Sequence, residues 1–384
     1  LTLGFNQVDK ARKSRVRRYG LNKGAGDLIG FSGKGDPLEE IFDKCVNCFV
    51  FKDDAGPSDN YSANQSIESY YLNSKLYLLT NIELNMGVRQ EHSIQTVQSY
   101  ALFRPDLEPT ISRLKTWDTL PAVGVIWRLP RDMQVRVAYS ETVSRPDFKE
   151  LSNTRWRDDE KNYEVEGNPD LNSATIQNID LRWEWYFRRK ENIYIGFFQK
   201  EFAHPIENIL KGSPDTVLTF ENAGSATNSG VELEFRKNLG FFGRNLAPAS
   251  FSGNLSYIHS EIKLDNLKQL ALTSKQRPLQ GQSPYVLNFM VDYELEKIKA
   301  NFSLVYNIFG PRISEVGTDQ FPDIYEQSFE QLDFVAQKKI SDIYSISFKA
   351  TNLLNSKAIY KQGENITKEV VKGQAYGLSL SASL

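Results

Sequence analysis

The sequence predicts an all-β fold, a transmembrane antiparallel β-barrel of about 14 strands. Three observations carry that prediction. Apolar and polar residues alternate with period two in one segment after another, and the connections between those segments alternate between short and long. The aromatic load is also high, with 23 Phe, 18 Tyr and 5 Trp against 3 Met and 3 His. Aromatic girdles at both membrane interfaces would account for it. A soluble all-β protein with a large aromatic core would account for it equally, so periodicity has to decide. No run of about eighteen apolar residues exists, which leaves no transmembrane helix.

Along the chain, Ile82, Leu84, Met86 and Val88 share one strand face, with Glu83, Asn85, Gly87 and then Arg89 on the other. Ile179, Leu181, Trp183, Trp185 and Phe187 alternate with Asp180, Arg182, Glu184 and Tyr186. Val231, Leu233 and Phe235 alternate with Glu232, Glu234 and Arg236. Tyr285, Leu287, Phe289, Val291 and Tyr293 oppose Asn288 and Asp292, and Phe302, Leu304, Tyr306 and Ile308 oppose Ser303 and Asn307. Tyr344, Ile346, Phe348 and Ala350 alternate with Ser345, Ser347 and Lys349, and YGLSLSASL from Tyr376 to Leu384 keeps the period without a fault. Such alternation marks a strand between an apolar and a polar medium. Each strand is expected to run for roughly ten residues, the length that crosses a bilayer.

Short turns are expected near Thr80, Arg131, Lys190, Lys297 and Ser341. Long polar loops are expected over 20–63, 105–116, 146–173, 265–283, 310–323 and 355–368. Barrels of this kind place short turns on the periplasmic side and long loops outside. The stretch from Phe241 to Pro248 is long for a short turn, and that from Lys211 to Asp215 is modest for a long loop. No Pro/Ser-rich linker divides the chain, so residues 1–384 read as one barrel domain.

Charge narrows the function classes. A net charge of -2, from 46 Lys+Arg and 48 Asp+Glu, gives no basic field of the kind nucleic-acid binding needs. No nucleophile triad, catalytic carboxylate pair or phosphate-cradling glycine loop sits on a rigid element, so an enzyme is not expected, nor a cofactor. Leu1 opens into LTLGF without the parts of an export signal, so processing or truncation is expected ahead of it.

YSETVSRPDFKEL from Tyr139 to Leu151, followed by VEGNPDLNSATIQNIDLRWEWYF from Val165 to Phe187, resembles TonB-dependent outer-membrane receptors. GVRQEHS at Gly87–Ser93, NAGSATNSGVELEFRK at Asn222–Lys237 and KATNLLN at Lys349–Asn355 extend the likeness through nearly the whole chain. The resemblance implies that these are about 14 strands of a barrel of roughly 22, with a lumen-filling plug domain not in this chain. It implies active import of a scarce nutrient, siderophore-iron, a vitamin, or a glycan or peptide. The partners implied are the TonB complex through a missing N-terminal segment, outer-membrane lipid and lipopolysaccharide, the imported small ligand and, as an optional addition, a surface lipoprotein. The location implied is the outer membrane of a Gram-negative bacterium. Leu384 departs from the pattern, since such proteins usually end on an aromatic residue. The alternative is a passive channel closed from about 14 strands.

Residues expected to line the ligand path along the lumen are Arg89, Glu91, Arg136, Arg182, Glu184, Glu232, Glu234 and Asp292. Trp156 and Tyr163 are loop candidates for stacking on a ligand, or for packing one loop on its neighbour. Cys45 and Cys48 form a lone CxxC pair outside any βαβ setting, read first as a loop disulfide, with redox or metal chemistry and free thiols as alternatives. His92, His204 and His259 lack ligand spacing and are expected at the lumen or rim, and no metal site is expected. The basic run Lys10, Arg12, Lys13, Arg15, Arg17 and Arg18 suits a rim for an anionic ligand, or pairing with lipopolysaccharide or lumen acids, the latter being preferred. Asp158, Asp159, Glu160, Glu164 and Glu166 read as a solvated loop before a calcium site.

Overall fold

The computed structural model describes residues 1–17, 19–23, 49–53, 60–100, 108–158, 163–211, 217–263, 276–317 and 321–382. Fourteen strands form one sheet in which sequence neighbours are spatial neighbours. They are β1 (Thr2–Ser14), β2 (Asn60–Leu79), β3 (Ile82–Tyr100), β4 (Thr110–Leu129), β5 (Met133–Ser144), β6 (Ala174–Arg188) and β7 (Glu191–Ala203). The second half comprises β8 (Ser225–Asn238), β9 (Ala249–Lys263), β10 (Tyr285–Leu295), β11 (Ala300–Phe309), β12 (Phe329–Lys339), β13 (Tyr344–Thr351) and β14 (Ala375–Ala382). Every pairing is antiparallel, and β1 and β14 stand at the two edges.

Period two fixes which side chain faces which medium. Met86 and Val88 on β3, Ile179, Leu181 and Trp185 on β6, and Val231 on β8 lie exposed on the outer face. Glu83, Glu91 and Gln95 on β3 and Glu184 on β6 are buried on the inner face. A soluble sandwich would bury the first set and expose the second.

Strand length departs from expectation. β2, β3 and β4 have 20, 19 and 20 residues, about twice the roughly ten that cross a bilayer. Beyond a lipid boundary a strand needs a partner for its inner face, and here that partner is a cap of packed loops at the long-loop end. Several intervals expected to be loops are therefore partly strand. β4 begins at Thr110 inside 105–116, and β2 at Asn60 inside 20–63, where Tyr19–Lys23 also pairs with Phe49–Asp53. Arg155–Asp158 and Tyr163–Glu166, within 146–173, join Ile206–Lys211 and Val217–Asn222 in a four-stranded sheet. Arg312–Glu315, within 310–323, and Lys357–Gln362 and Asn365–Val371, from 355–368, form a second with Ile324–Glu326. These strands escaped the sequence because each is too short to establish a period, three to seven residues. The stretch from Phe241 to Pro248 is filled by 3-10 turns at Gly240–Phe242 and Arg244–Leu246.

The apolar core sits in the cap. Tyr61, Val97, Phe148, Leu151, Val165, Leu171, Leu218 and Phe220 make one cluster, and Ile209, Ala223, Ile262, Ile313 and Val316 another.

Candidate functional site

Near the short-turn end of β5–β8, Arg136 and Arg182 stand directly opposite each other on adjacent strands. Two guanidiniums in that register repel unless a carboxylate comes between them. Glu184, only 3% exposed, does so: its Oε1 lies 3.2 Å from Arg136 Nε and 3.0 Å from Arg182 Nε. Arg182 Nη2 reaches Glu234 at 3.1 Å, and its guanidinium lies 4.4 Å from the centre of the Tyr194 ring. Tyr186 and Gln134 also donate to Glu184. Glu232 is opposite Gly196 on the same inner face, exposed.

A second cluster lies towards the cap. Glu91 and Asp118 are cross-strand neighbours, an unfavourable pair of like charges. Arg145, at the end of β5 and 12% exposed in its side chain, resolves it by contacting Asp118 and reaching Glu91 Oε2 at 2.9 Å. Arg89 Nε is 2.5 Å from Glu91 Oε1, and Arg89 Nη2 donates to Ser69 at 2.8 Å. Six of the eight expected wall residues thus fall into two clusters, with Glu232 and Asp292 apart. Asp292 accepts from Ser303 at 2.5 Å and lines a cavity of about 1320 Å³ at the short-turn end, together with Arg188, Arg236 and Arg244.

Arg145 opens the RPDF segment, and the structure gives that motif a physical reason. Pro146 accepts from Gln95 at 2.8 Å, and Phe148 and Leu151 enter the cap core. GNPDL closes the same loop. A Cβ on Gly167 would meet the carbonyl oxygens of Ser152, Lys149 and Glu150 at 2.1, 2.6 and 2.9 Å, so only glycine fits. Asn168 donates to Phe220 O at 2.8 Å, and Ser112 donates to Pro169 O at 2.7 Å. The two motifs fasten the loop after β5 to the inner wall.

Sequence reasoning missed three contributors. Arg145 and Asp118 were legible in part, because Asp118 shares parity with the polar face of β4. The pair Arg277–Glu207 was not. Its side chains are 1% and 0% exposed, joined by two hydrogen bonds of 2.9 and 2.7 Å, and its members are 70 residues apart, Glu207 on the cap strand Ile206–Lys211 and Arg277 on the connection after β9. Gln280 N–H also donates to Glu207, at 3.1 Å.

Among the loop candidates, Trp156 is half-buried, stacked 6.3 Å from Phe220 with Lys149 Nζ 4.0 Å from its ring centre, which packs loop on loop. Tyr163 begins the strand paired with Arg155–Asp158, and its side chain lies outside the described residues. Cys45, Cys48, Arg18, Asp159 and Glu160 also lie outside them. Glu166 pairs with Arg155 at 3.0 Å. Arg12 lies 3.6 Å from Asp147. His92 faces outward and stacks on Trp117 at 4.2 Å, because odd residues of β3 take the lumen side and leave even ones outside. In the cap, burial raises the Glu150 carboxyl above its ordinary value, and burial followed by the Arg12 charge lowers Lys149.

A family model described as TonB dependent receptor-like, beta-barrel matches residues 14–353. Solved structures share the fold at low identity. The siderophore receptor PiuA from Acinetobacter baumannii superposes with a TM-score of 0.60 at 14% identity, covering 99% of this chain and 52% of that one. The ferric yersiniabactin uptake receptor FyuA from Yersinia pestis gives 0.57 at 16%, covering 88% and 49%. The copper transporter OprC gives 0.61 at 13%, covering 100% and 54%. This chain therefore spans about half the length of those proteins. A search of curated proteins returns no significant match.

Proposed function

The chain belongs to the TonB-dependent receptor-like β-barrel family, and from that premise we propose that it forms the larger part of the wall and loop cap of an outer-membrane importer. The observation that carries the proposal is the division of solvents across one sheet. Exposed apolar side chains cover the outer face, paired charges line the inner face, and packed loops close one end. An outer-membrane barrel has that cross-section.

The β1 and β14 edges would each leave a row of backbone groups unpaired in lipid, at several kcal/mol per group. Further strands completing a barrel of roughly 22 satisfy them, and a plug fills the lumen. The TonB complex supplies the energy, and the ligand is a scarce nutrient such as siderophore-bound iron, a vitamin, or a glycan or peptide. Arg89, Glu91, Arg136, Arg182, Glu184, Glu232, Glu234 and Asp292 line the route. Self-closure into a passive channel is disfavoured, because β1 and β14 are not paired with each other and the cap has a packed core.

The test is uptake and growth of a strain lacking the gene, compared with its parent on single iron, vitamin and glycan sources, with and without a proton-motive-force uncoupler. Loss of energy-dependent uptake of one source supports the reading. Uptake equal to the parent on every source, or uptake indifferent to the uncoupler, defeats it.

A further inference from the structure

The two sheets of the cap join into one ribbon. Val316, just after Arg312–Glu315, lies beside Ile209 in a parallel bridge, where Leu210 N–H donates to Val316 O at 3.0 Å and Val316 N–H to Asn208 O at 3.3 Å. The ribbon therefore runs from Arg155–Asp158 through Ile206–Lys211 and Arg312–Glu315 to Asn365–Val371. Its strands come in turn from the loops after β5, β7, β11 and β13, so it follows the order of the wall. It also stops where the wall stops. Asn365–Val371 passes through 372–374 into β14, and Asn352 ties the feet of this last hairpin by donating to Ser356 O at 3.1 Å and Gly373 O at 2.9 Å.

The two ends of the ribbon are finished differently. Arg155–Asp158 is short and carries Arg155, Arg157 and Asp158, the form that keeps a sheet edge from pairing. Asn365–Val371 has seven residues, and Ile366 and Val371 stand 55% and 58% exposed. Its charged residues turn back into their own hairpin: Glu369 accepts from Lys357 Nζ at 2.8 Å, and Lys368 Nζ lies 5.3 Å from the Tyr360 ring centre. The bulge at Thr367 leaves Lys368–Val371 in unbroken register with 357–360. One side of the strand is thus paired, and the other has no partner strand among the described residues. β14 is in the same condition, exposed at every residue and paired only to β13. Free main-chain groups flanked by apolar side chains are the template that an added strand completes.

We propose that the cap ribbon continues across this seam: the strands that complete the barrel next to β14 carry an external loop, and that loop adds an extended strand to Asn365–Val371. Position selects the occupant. Neighbouring strands lie roughly 4.8 Å apart in wall and cap alike, so a strand that pairs with β14 and extends upward, as β2–β4 do, arrives beside 365–371. Main-chain hydrogen bonds give this contact its strength, and apolar side chains of the loop cover Ile366 and Val371. One segment of the receptor then closes both layers, the wall by its strand and the cap by its loop. The inference rests on the barrel completion proposed above and is independent of what is imported.

The test uses the full-length receptor in outer-membrane vesicles, with a photo-reactive side chain placed at Val371 or, as a control, at exposed Asn245 in the turn between β8 and β9. Peptide mapping of the products is expected to find Val371 joined to a receptor segment outside residues 1–384, and Asn245 not joined to that segment. Hydrogen exchange supplies the second readout. Ile366→Asp combined with Val371→Asp is expected to raise exchange in the captured segment about tenfold, while 357–362 and β14 keep wild-type protection. Heat-modifiable migration reports separately whether the barrel has closed. In a closed barrel, a Val371 product confined to residues 1–384, a product with a different protein, no product, or unchanged exchange in the double variant overturns the proposal and leaves the importer reading standing. A receptor that closes with no strand beyond β14 overturns both.

Discussion

The wall and the cap are built from the same chain with opposite insides. In the wall, apolar side chains such as Leu181 and Val231 face out, and the inner face holds Arg182, Glu184 and Glu234 in contact. In the cap, Ile209, Ile313 and Val316 are fully buried, and the ion pair Arg277–Glu207 is sealed among them. Lumen charges such as Arg182 and Glu234, 37% and 40% exposed in their side chains, keep access to water and lose little if one partner goes. A cap charge has surrendered its water, so its partner is indispensable. The surrounding solvent decides what counts as core: lipid makes the outside of the wall apolar, and water makes the inside of the cap so.

Several substitutions would break or sharpen that contrast. The largest effect is expected for Glu207→Ala, which strands the Arg277 guanidinium in the cap at a cost of about 3–5 kcal/mol. Hydrogen exchange should rise in 205–211 and 276–283 while the barrel keeps its heat-modifiable migration. Protection equal to wild type in those segments would show that the cap pair is no more committed than a lumen pair. Leu181→Arg places a charge on the lipid face, and urea unfolding in micelles should register a loss of about 2–4 kcal/mol. A silent Leu181→Arg would mean that this face does not see lipid.

Gly167→Ala forces a methyl against three carbonyl oxygens, so a loss of roughly 1–3 kcal/mol is expected, confined to residues 145–173. Limited proteolysis of that segment is the readout, and wild-type resistance would remove the close-approach argument.

The smallest effect concerns pH. Burial holds the Glu150 carboxyl above its ordinary value of 4.5, so the folded loop prefers the neutral acid. Its contribution to stability is full below 4.5 and is lost as pH rises through the elevated folded value. Glu150→Gln should remove that part of the pH dependence in exchange rates of the loop after β5, while its amide oxygen can still accept from Asp147 N–H. An unchanged pH profile would place the titrating group elsewhere.

Much of the fold was legible because period two acts on every wall residue separately. The parity of Glu184, Glu232, Glu234 and Asp292 follows from their neighbours in sequence alone, and so does the strand count of the main sheet. The length of β2–β4 was not legible, since their upper halves face water and cap and lose the apolar contrast. Nor was the role of Arg145, whose partners Glu91 and Asp118 come from two other strands. The CxxC at Cys45 and Cys48 lies outside the described residues and stays an expectation.

By itself, then, the sequence determined an all-β wall with an apolar outer face, a charged inner face and unequal ends, because two media imprint their preference residue by residue. Tertiary structure alone decided which charges meet. Strand register sets Arg136 opposite Arg182, and loop packing brings Arg277 to Glu207 across 70 residues. Those contacts depend on distances through space that no local period encodes.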